Sequence, residues 1–164
     1  MDSDATAMAV EFSSPALEKF NAIIARYPKK EAAMLPVLYL AQQEFGHIGP
    51  EAIDYIAKLM GQAPARVYGV VSFYTMFNTR PIGRHHIQIC RTLPCALRGA
   101  ERVTATIKAK LGIEPGQTTP DGRFTLSEVE CLASCGTAPM MQINDDYYEN
   151  LTEDKIEQIL DTMK

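Results

Sequence analysis

The sequence has no tryptophan, only four cysteines and three histidines, and no long apolar run. A membrane-spanning helix needs about 20 predominantly apolar residues, so direct membrane insertion is excluded. A basic excess is missing too: 16 Lys and Arg face 20 Asp and Glu, for a net charge of -4. That balance leaves no electrostatic footprint for nucleic acid. Neither G-x-G-x-x-G nor G-x-x-x-x-G-K-[ST] occurs, so no recognisable nucleotide cradle is present. Nothing in the chain reads as a self-contained active site. The opening "MDSDATAMAVEFSS" is acidic and contains no arginine, unlike a secretory signal or a mitochondrial transit peptide. The expected location is therefore a bacterial cytoplasm, or an organelle after processing. Thiols stay reduced in such a compartment, and clustered cysteines there point to metal ligation rather than disulfides.

What is present suits a folded protein of ordinary composition. A chain of 164 residues with 46% hydrophobic content can bury a core without covalent staples. The first half reads as helices. Ser14-Pro15 is a helix start, and Leu17, Phe20, Ile23 and Ile24 recur at helical spacing until Tyr27-Pro28. Further helices are expected over 31–45, with Pro36 in the first turns, over 51–60, and from Pro64 toward Val70. "VVSFYTMF" is apolar almost throughout and is expected to pack inside or against a partner. "NTRPIGRH", 78–85, has the composition of a linker, which divides the chain into a helical bundle at 1–77 and a second domain at 78–164. No internal repeat or low-complexity tract occurs.

After the linker the pattern changes. A strand is expected at 86–90 and an amphipathic helix at 96–111, with Leu97, Ala100, Val103, Ile107 and Leu111 on one face and Gly112 closing it. "RFTLSEVE" alternates as a strand does. "PMMQIND" and "DYYENL" read as two short strands around a turn at Asp145-Asp146, and Thr152 caps a last helix. The fold class is α+β. The order β-α-β, hairpin, α predicts a small sandwich whose first two strands are parallel.

The chemistry lies in two cysteine pairs. "CRTLPC" carries Cys90 and Cys95, and "CLASC" carries Cys131 and Cys135, each after an expected strand. With both strands in one sheet, the two loops form one four-thiolate pocket, suited to zinc or to an iron–sulfur cluster. Spacing does not choose between them, and four unrelated buried cysteines are the blander alternative. Three local features favour a [2Fe-2S] cluster. The spacings are wider than C-x-x-C knuckles. The small residues Ala133, Ser134 and Gly136 let backbone amides approach the sulfurs. A helix beginning near Pro94-Cys95, with Arg91 and Arg98 close by, points its positive end at an anionic site. His47, His85 and His86 read as surface or strand-entry residues, because His85 and His86 are adjacent on an extended segment and face opposite ways. Met140 and Met141 read as core, and Asp145-Asp146 as turn chemistry.

"GVVSFYTMF", "CRTLPC", "VECLASCGTAPMMQIND" and "DDYYENLT", in that order, carry a resemblance that runs from about Phe20 to the C-terminus. The sequence resembles the thioredoxin-like [2Fe-2S] subunits of NADH:quinone oxidoreductase, respiratory complex I. The resemblance implies a thioredoxin-like domain behind the helical bundle and a [2Fe-2S] cluster on Cys90, Cys95, Cys131 and Cys135. It implies a flavoprotein partner that holds FMN and NADH and passes electrons singly to this chain, in a peripheral arm on the cytoplasmic side of a membrane. The same subunit type occurs in NAD-linked hydrogenases and formate dehydrogenases. A free thioredoxin-like ferredoxin or a zinc-stabilised interaction module are more remote readings, since neither calls for so long an apolar helical preface. The family usually reads C-L-G-A-C where this chain has Ala133 and Ser134. That departure is expected to restrict the loop or shift the potential, but it removes no ligand.

Overall fold

Ser13, one residue before the expected cap, starts the first helix. Its side chain accepts the Ala16 amide at 3.4 Å, and Pro15 sits in the opening turn of α1, Ser14–Ile24. The helix stops short of Tyr27 because the Arg26 and Tyr27 amides reach back only three residues, to the Ile23 and Ile24 carbonyls. This computed structural model describes residues 10–163. Residues 1–9, which carry most of the acidic opening segment, and Lys164 lie outside the described residues.

The expected helix over 31–45 is two elements. A 3-10 turn at Lys30–Ala33 precedes α2, Met34–Phe45. Pro36 falls third in α2, where an amide has no intrahelical acceptor in any case. α3, Pro50–Met60, opens on proline and closes on Gly61 in the left-handed region at φ 64°. α4, Pro64–Phe73, runs past Val70. The chain divides into two compact units between Pro81 and Ile82. In the first, Val37, Leu38, Ala41, Ile56, Val67 and Val71 form a dry helical core with Phe12 and Phe20. Phe12 stacks on Phe45 and meets the edge of Tyr55, whose hydroxyl accepts the Phe12 amide at 2.9 Å. The Gln42 side chain ties down the segment after α4, donating to the Met76 carbonyl at 2.9 Å and accepting the Asn78 amide at 2.6 Å. "VVSFYTMF" is split by this arrangement. Val71 and Phe77 are buried, whereas Phe73, Tyr74 and Met76 remain exposed.

The second unit is a mixed four-stranded sheet in the order β2-β1-β3-β4. β1, His85–Cys90, pairs in parallel with β2, Phe124–Val129, and antiparallel with β3, Met141–Ile143. β4, Asp146–Tyr148, closes a hairpin with β3. Its two-residue turn is Asn144-Asp145, one place earlier than expected, because Asn144 takes the left-handed conformation at φ 53° that Asn tolerates. α6, Ala100–Leu111, and α7, Glu153–Thr162, supply Val103, Ile107, Ile156 and Leu160 to one core with Ile87, Ile89, Phe124 and Leu126 of the sheet. Thr152 caps α7 as expected, accepting the Lys155 amide at 3.3 Å. Among the described residues no helix is long and apolar enough to cross a membrane.

One helix expectation fails. The segment 96–111 is not continuous: α5, Leu93–Leu97, ends at Arg98, and Gly99 at φ 96° turns the chain before α6 begins. Leu97 therefore leaves the face it was expected to share with Val103 and Ile107 and is 78% exposed.

Gly83 locks the entry to β1. Its amide donates to the buried Thr125 hydroxyl at 2.6 Å, and a Cβ built there meets the Phe124 backbone at 2.8 Å. Backbone cannot give way as a side-chain tip can. Gly83→Ala is expected to destabilise the sheet by about 1–3 kcal/mol, measured as a lower urea midpoint followed by circular dichroism. An unchanged midpoint would show that the close approach is absent.

Candidate metal centre

Cys90 is the last residue of β1 and lies opposite Val129, the last residue of β2. The two chains thus leave the sheet side by side. The Arg91 amide donates to the Val129 carbonyl at 3.0 Å, and the Arg91 guanidinium pairs with Glu130 at 2.6 Å. That exposed pair stitches the exits together and contributes little energy on its own. From one exit the chain enters α5, which carries Cys95 behind Pro94. From the other it runs through Cys131 to a 3-10 turn at Cys135–Thr137.

All four cysteines are free thiols, in two environments. Cys90 and Cys95 are buried in a small apolar cluster with Ala100, Ala138 and Met140. Cys131 and Cys135 are exposed. Burial pushes the Cys90 thiol up, but the Thr92 hydroxyl at 3.3 Å, the amides of Leu132 and Thr92, and the Cys95 thiol outweigh it and leave it below the ordinary thiol value. Cys95 is pushed up to about 11, first by burial and then by donating its proton to Cys90. Burial raises Cys135 also, followed by the nearby Cys131 and Cys90 sulfurs. The Cys135 sulfur is close enough to Cys90 and Cys95 for each to influence the other's ionisation. The Ala133 amide donates to the Cys131 sulfur at 3.3 Å, and the backbone amides of Leu132 and Thr92 favour the thiolate at Cys90, as that of Met140 does at Cys95. Among the described residues no three or more His, Cys, Asp or Glu side chains are arranged to hold a single metal ion.

The loop 131–137 has its own scaffold. Ala133 stands at φ 61°, in the left-handed region, which costs a residue with a Cβ roughly 1–2 kcal/mol. Gly136, by contrast, has open space where a Cβ would stand, so crowding does not demand glycine there. Ser134 is more than a small residue beside the sulfurs. Its hydroxyl donates to the Glu149 carboxylate, which also accepts from Thr137 at 2.7 Å. The Tyr147 hydroxyl donates to the Leu132 carbonyl at 2.9 Å. The Ser134 and Thr137 hydroxyls hold the Glu149 carboxyl below the usual carboxylate value, aided by Lys155. Thr92, Thr137, Tyr147 and Glu149 were not singled out from sequence. The available signal was the period-2 placement of Tyr147 and Glu149, which sends both side chains to one face at the end of a strand.

His85 and His86 lie at the start of β1, the end of the strand opposite Cys90. His85 stacks against Phe124 and has a buried Nε2 without a partner, while His86 shares a 2.8 Å hydrogen bond with Ser127. Four residues of strand separate His86 from Cys90, about 13 Å at the usual rise. Met140 and Met141 are fully buried. Of the two arginines near the site, Arg91 is neutralised by Glu130 and Arg98 donates to the Ala138 carbonyl at 3.4 Å.

Residues 20–164 match the family described as thioredoxin-like [2Fe-2S] ferredoxin. The chain belongs to the thioredoxin-like [2Fe-2S] ferredoxin family. Within that family it is 48% identical over 145 residues to a subunit of the NADH-quinone oxidoreductase of Rickettsia bellii, covering 87% of each chain. It is 48% identical over 157 residues to "NADH dehydrogenase [ubiquinone] flavoprotein 2, mitochondrial" of Dictyostelium discoideum, covering 94% of this chain and 64% of that one. The fold is similar to part of an NAD+-reducing [NiFe]-hydrogenase in the air-oxidized state, with TM-score 0.70 and 22% identity over 79% of this chain and 22% of that one. The cofactor of the family is a [2Fe-2S] cluster. The site offers what such a cluster needs: four uncommitted thiols on neighbouring loops, amides that favour thiolate, and an apolar floor.

Ala133 tests the loop directly. Ala133→Gly removes the clash of a Cβ in the left-handed region and is expected to stabilise the domain by up to about 1 kcal/mol, part of the relief being lost to the freer unfolded chain. Thermal unfolding of the two proteins measures it. A lower melting temperature in the glycine variant would show that residue 133 does not hold this conformation.

Proposed function

We propose that this chain is the [2Fe-2S] electron-transfer subunit of an NADH-quinone oxidoreductase, with the cluster held by Cys90, Cys95, Cys131 and Cys135. The observation that carries the ligand assignment is the parallel pairing of β1 with β2, which delivers both thiol pairs to one end of the sheet. A [2Fe-2S] cluster takes up and releases one electron at a time. The chain's own residues do the rest. Cys90 and Cys95, on the apolar floor with Met140 and Ala138, keep water from the inner side. The Ala133 amide supplies a hydrogen bond to the Cys131 sulfur, and the amides of Thr92, Leu132 and Met140 favour thiolate at Cys90 and Cys95; contacts of this kind tune the potential.

The electrons come from FMN on a partner flavoprotein subunit that binds NADH. The chain is part of the enzyme without containing its active site. The helical part, 1–77, clamps that partner, and its exposed Tyr68, Phe73 and Met76 are apolar surface of the kind an interface covers. The assembly lies on the cytoplasmic side of a membrane, within a peripheral arm. A diaphorase module of an NAD-linked hydrogenase is the second reading, favoured by the fold likeness to the [NiFe]-hydrogenase. The 48% identity to the Rickettsia bellii oxidoreductase subunit favours the quinone enzyme.

The purified chain is expected to carry two irons and two acid-labile sulfides, and Cys→Ser at any of the four positions to bleach or alter its visible spectrum, since hydroxyl oxygen is a poor replacement for thiolate. NADH should reduce the cluster, followed by EPR, only after the flavoprotein subunit is added. One zinc without sulfide would overturn the cofactor assignment, an unaltered Cys135→Ser spectrum the ligand assignment, and reduction by NADH without a partner the division of labour. Subunits that co-purify with the chain separate the quinone enzyme from the hydrogenase.

A further inference from the structure

We propose that Glu149 is a positioning residue for the cluster: it holds the Cys131–Cys135 loop in its ligating shape through the hydroxyls of Ser134 and Thr137. This inference rests on the ligand assignment above. The loop needs an external hold. Both of its thiols are exposed, Ala133 occupies an unfavourable backbone region, and of the residues from Cys131 to Cys135 Leu132 alone packs against the apolar floor. A short loop with those properties opens readily unless something outside it fixes its ends.

Glu149 meets that need in an economical way. One carboxylate oxygen, Oε1, accepts from both Ser134 and Thr137, which flank Cys135 on either side. The two hydroxyls also lie 2.7 Å from each other. Each carries one proton, and an ionised carboxylate is acceptor-only, so when both protons go to Glu149 the Ser134–Thr137 contact carries none; the Thr137 hydroxyl has the Ser134 carbonyl, at 3.2 Å, as its other acceptor. The backbone supports the same geometry: the Thr137 amide donates to the Ser134 carbonyl at 3.2 Å, and the Asn150 amide to the Thr137 carbonyl at 2.7 Å. Glu149 is itself secured, since the Lys155 ammonium donates to its backbone carbonyl at 2.6 Å. Charge is not the main element of this clasp. A negative side chain beside an anionic cluster is unfavourable, so the residue's use is its oxygen.

That distinction sets the test. Glu149→Gln keeps an oxygen able to accept both hydroxyls and drops the charge, whereas Glu149→Ala drops both. The full chain, loaded with its cluster, is compared with Glu149→Ala, Glu149→Gln and Ser134→Ala for the rate of cluster loss to a chelator and for the EPR line shape of the reduced centre. Glu149→Ala is expected to lose its cluster on the order of threefold to tenfold faster, as for one or two hydrogen bonds of ordinary net strength. Ser134→Ala should show a smaller increase, and Glu149→Gln a rate close to the parent. Hydrogen exchange of amides 132–137 in the metal-free chain gives a readout that needs no cluster, with the same order of variants expected. Unchanged release and exchange in Glu149→Ala would overturn the clasp, and a Glu149→Gln protein as leaky as Glu149→Ala would overturn the role of the oxygen. If the parent chain itself takes up no cluster, the ligand assignment fails, and the exchange measurement still decides the clasp.

Discussion

The parallel ladder between β1 and β2 is the constraint on which the rest of the second unit depends. Its register sets Cys90 beside Val129, and so places the two exits from the sheet next to each other. It also sets which side chains turn inward: Ile87 and Ile89 meet Leu126 and the helices, while the strand ends in a buried cysteine. Side chains alternate along a strand, so a slip of one residue would turn Cys90 to the other face and put Ile87 and Ile89 where Gln88 now stands. Hydrophobic burial and ligand placement thus require the same register. Parallel strands need a long crossover, supplied here by α5, α6 and the turn-rich segment before β2. The first part of that crossover carries Cys95.

The two thiol pairs are held by different forces. Cys95 rides on a short helix and is itself buried with Ala100 and Met140, so packing fixes it. The loop 131–137 has one apolar anchor, Leu132 against the floor, and is otherwise fixed by hydroxyl, amide and carboxylate contacts. The electrostatic contrast follows. A buried thiol such as Cys95 resists ionising, and under the proposed ligand assignment it gives up its proton as the cluster binds, which ties metal uptake to proton release. Amides that favour thiolate offset part of the cost of burying that charge.

Much of this was legible in the sequence because it rested on local rules. Proline at helix starts, Gly112 at a helix end, and Thr152 as a cap each work within a few residues, and each is found in the structure. The alternation in "RFTLSEVE" depends on one buried face and gave β2. The failures came where a local pattern had two solutions. The residues 96–111 satisfy a helical wheel, yet Gly99 turns the chain, and only contacts distant in sequence decide whether such a glycine stays helical. The turn of the β3–β4 hairpin moved by one residue because Asn144 and Asp145 are both competent turn formers. At the metal centre the cysteines were visible by type and spacing. Glu149 was not: its period-2 spacing from Tyr147 puts both side chains on one face, but does not tell a carboxylate that accepts from loop hydroxyls from a solvated one.

A polar scaffold differs from a packed one in how it fails. Water competes with each hydroxyl and carboxylate contact, so such contacts open locally at low cost, whereas the floor under Cys90 and Cys95 cannot open without exposing apolar surface. The site therefore has a firm half and a yielding half. The firm half is continuous with the core through α6 and excludes water. The yielding half carries the two exposed thiols on the solvent side, where irons and sulfides must enter. A site closed by packing on both sides would have no route for assembly, and one closed by polar contacts on both sides would not keep its contents. Under the proposed ligand assignment, a division between a β1 exit that is buried and a β2 exit that is clasped gives the centre both a route in and a means of retention.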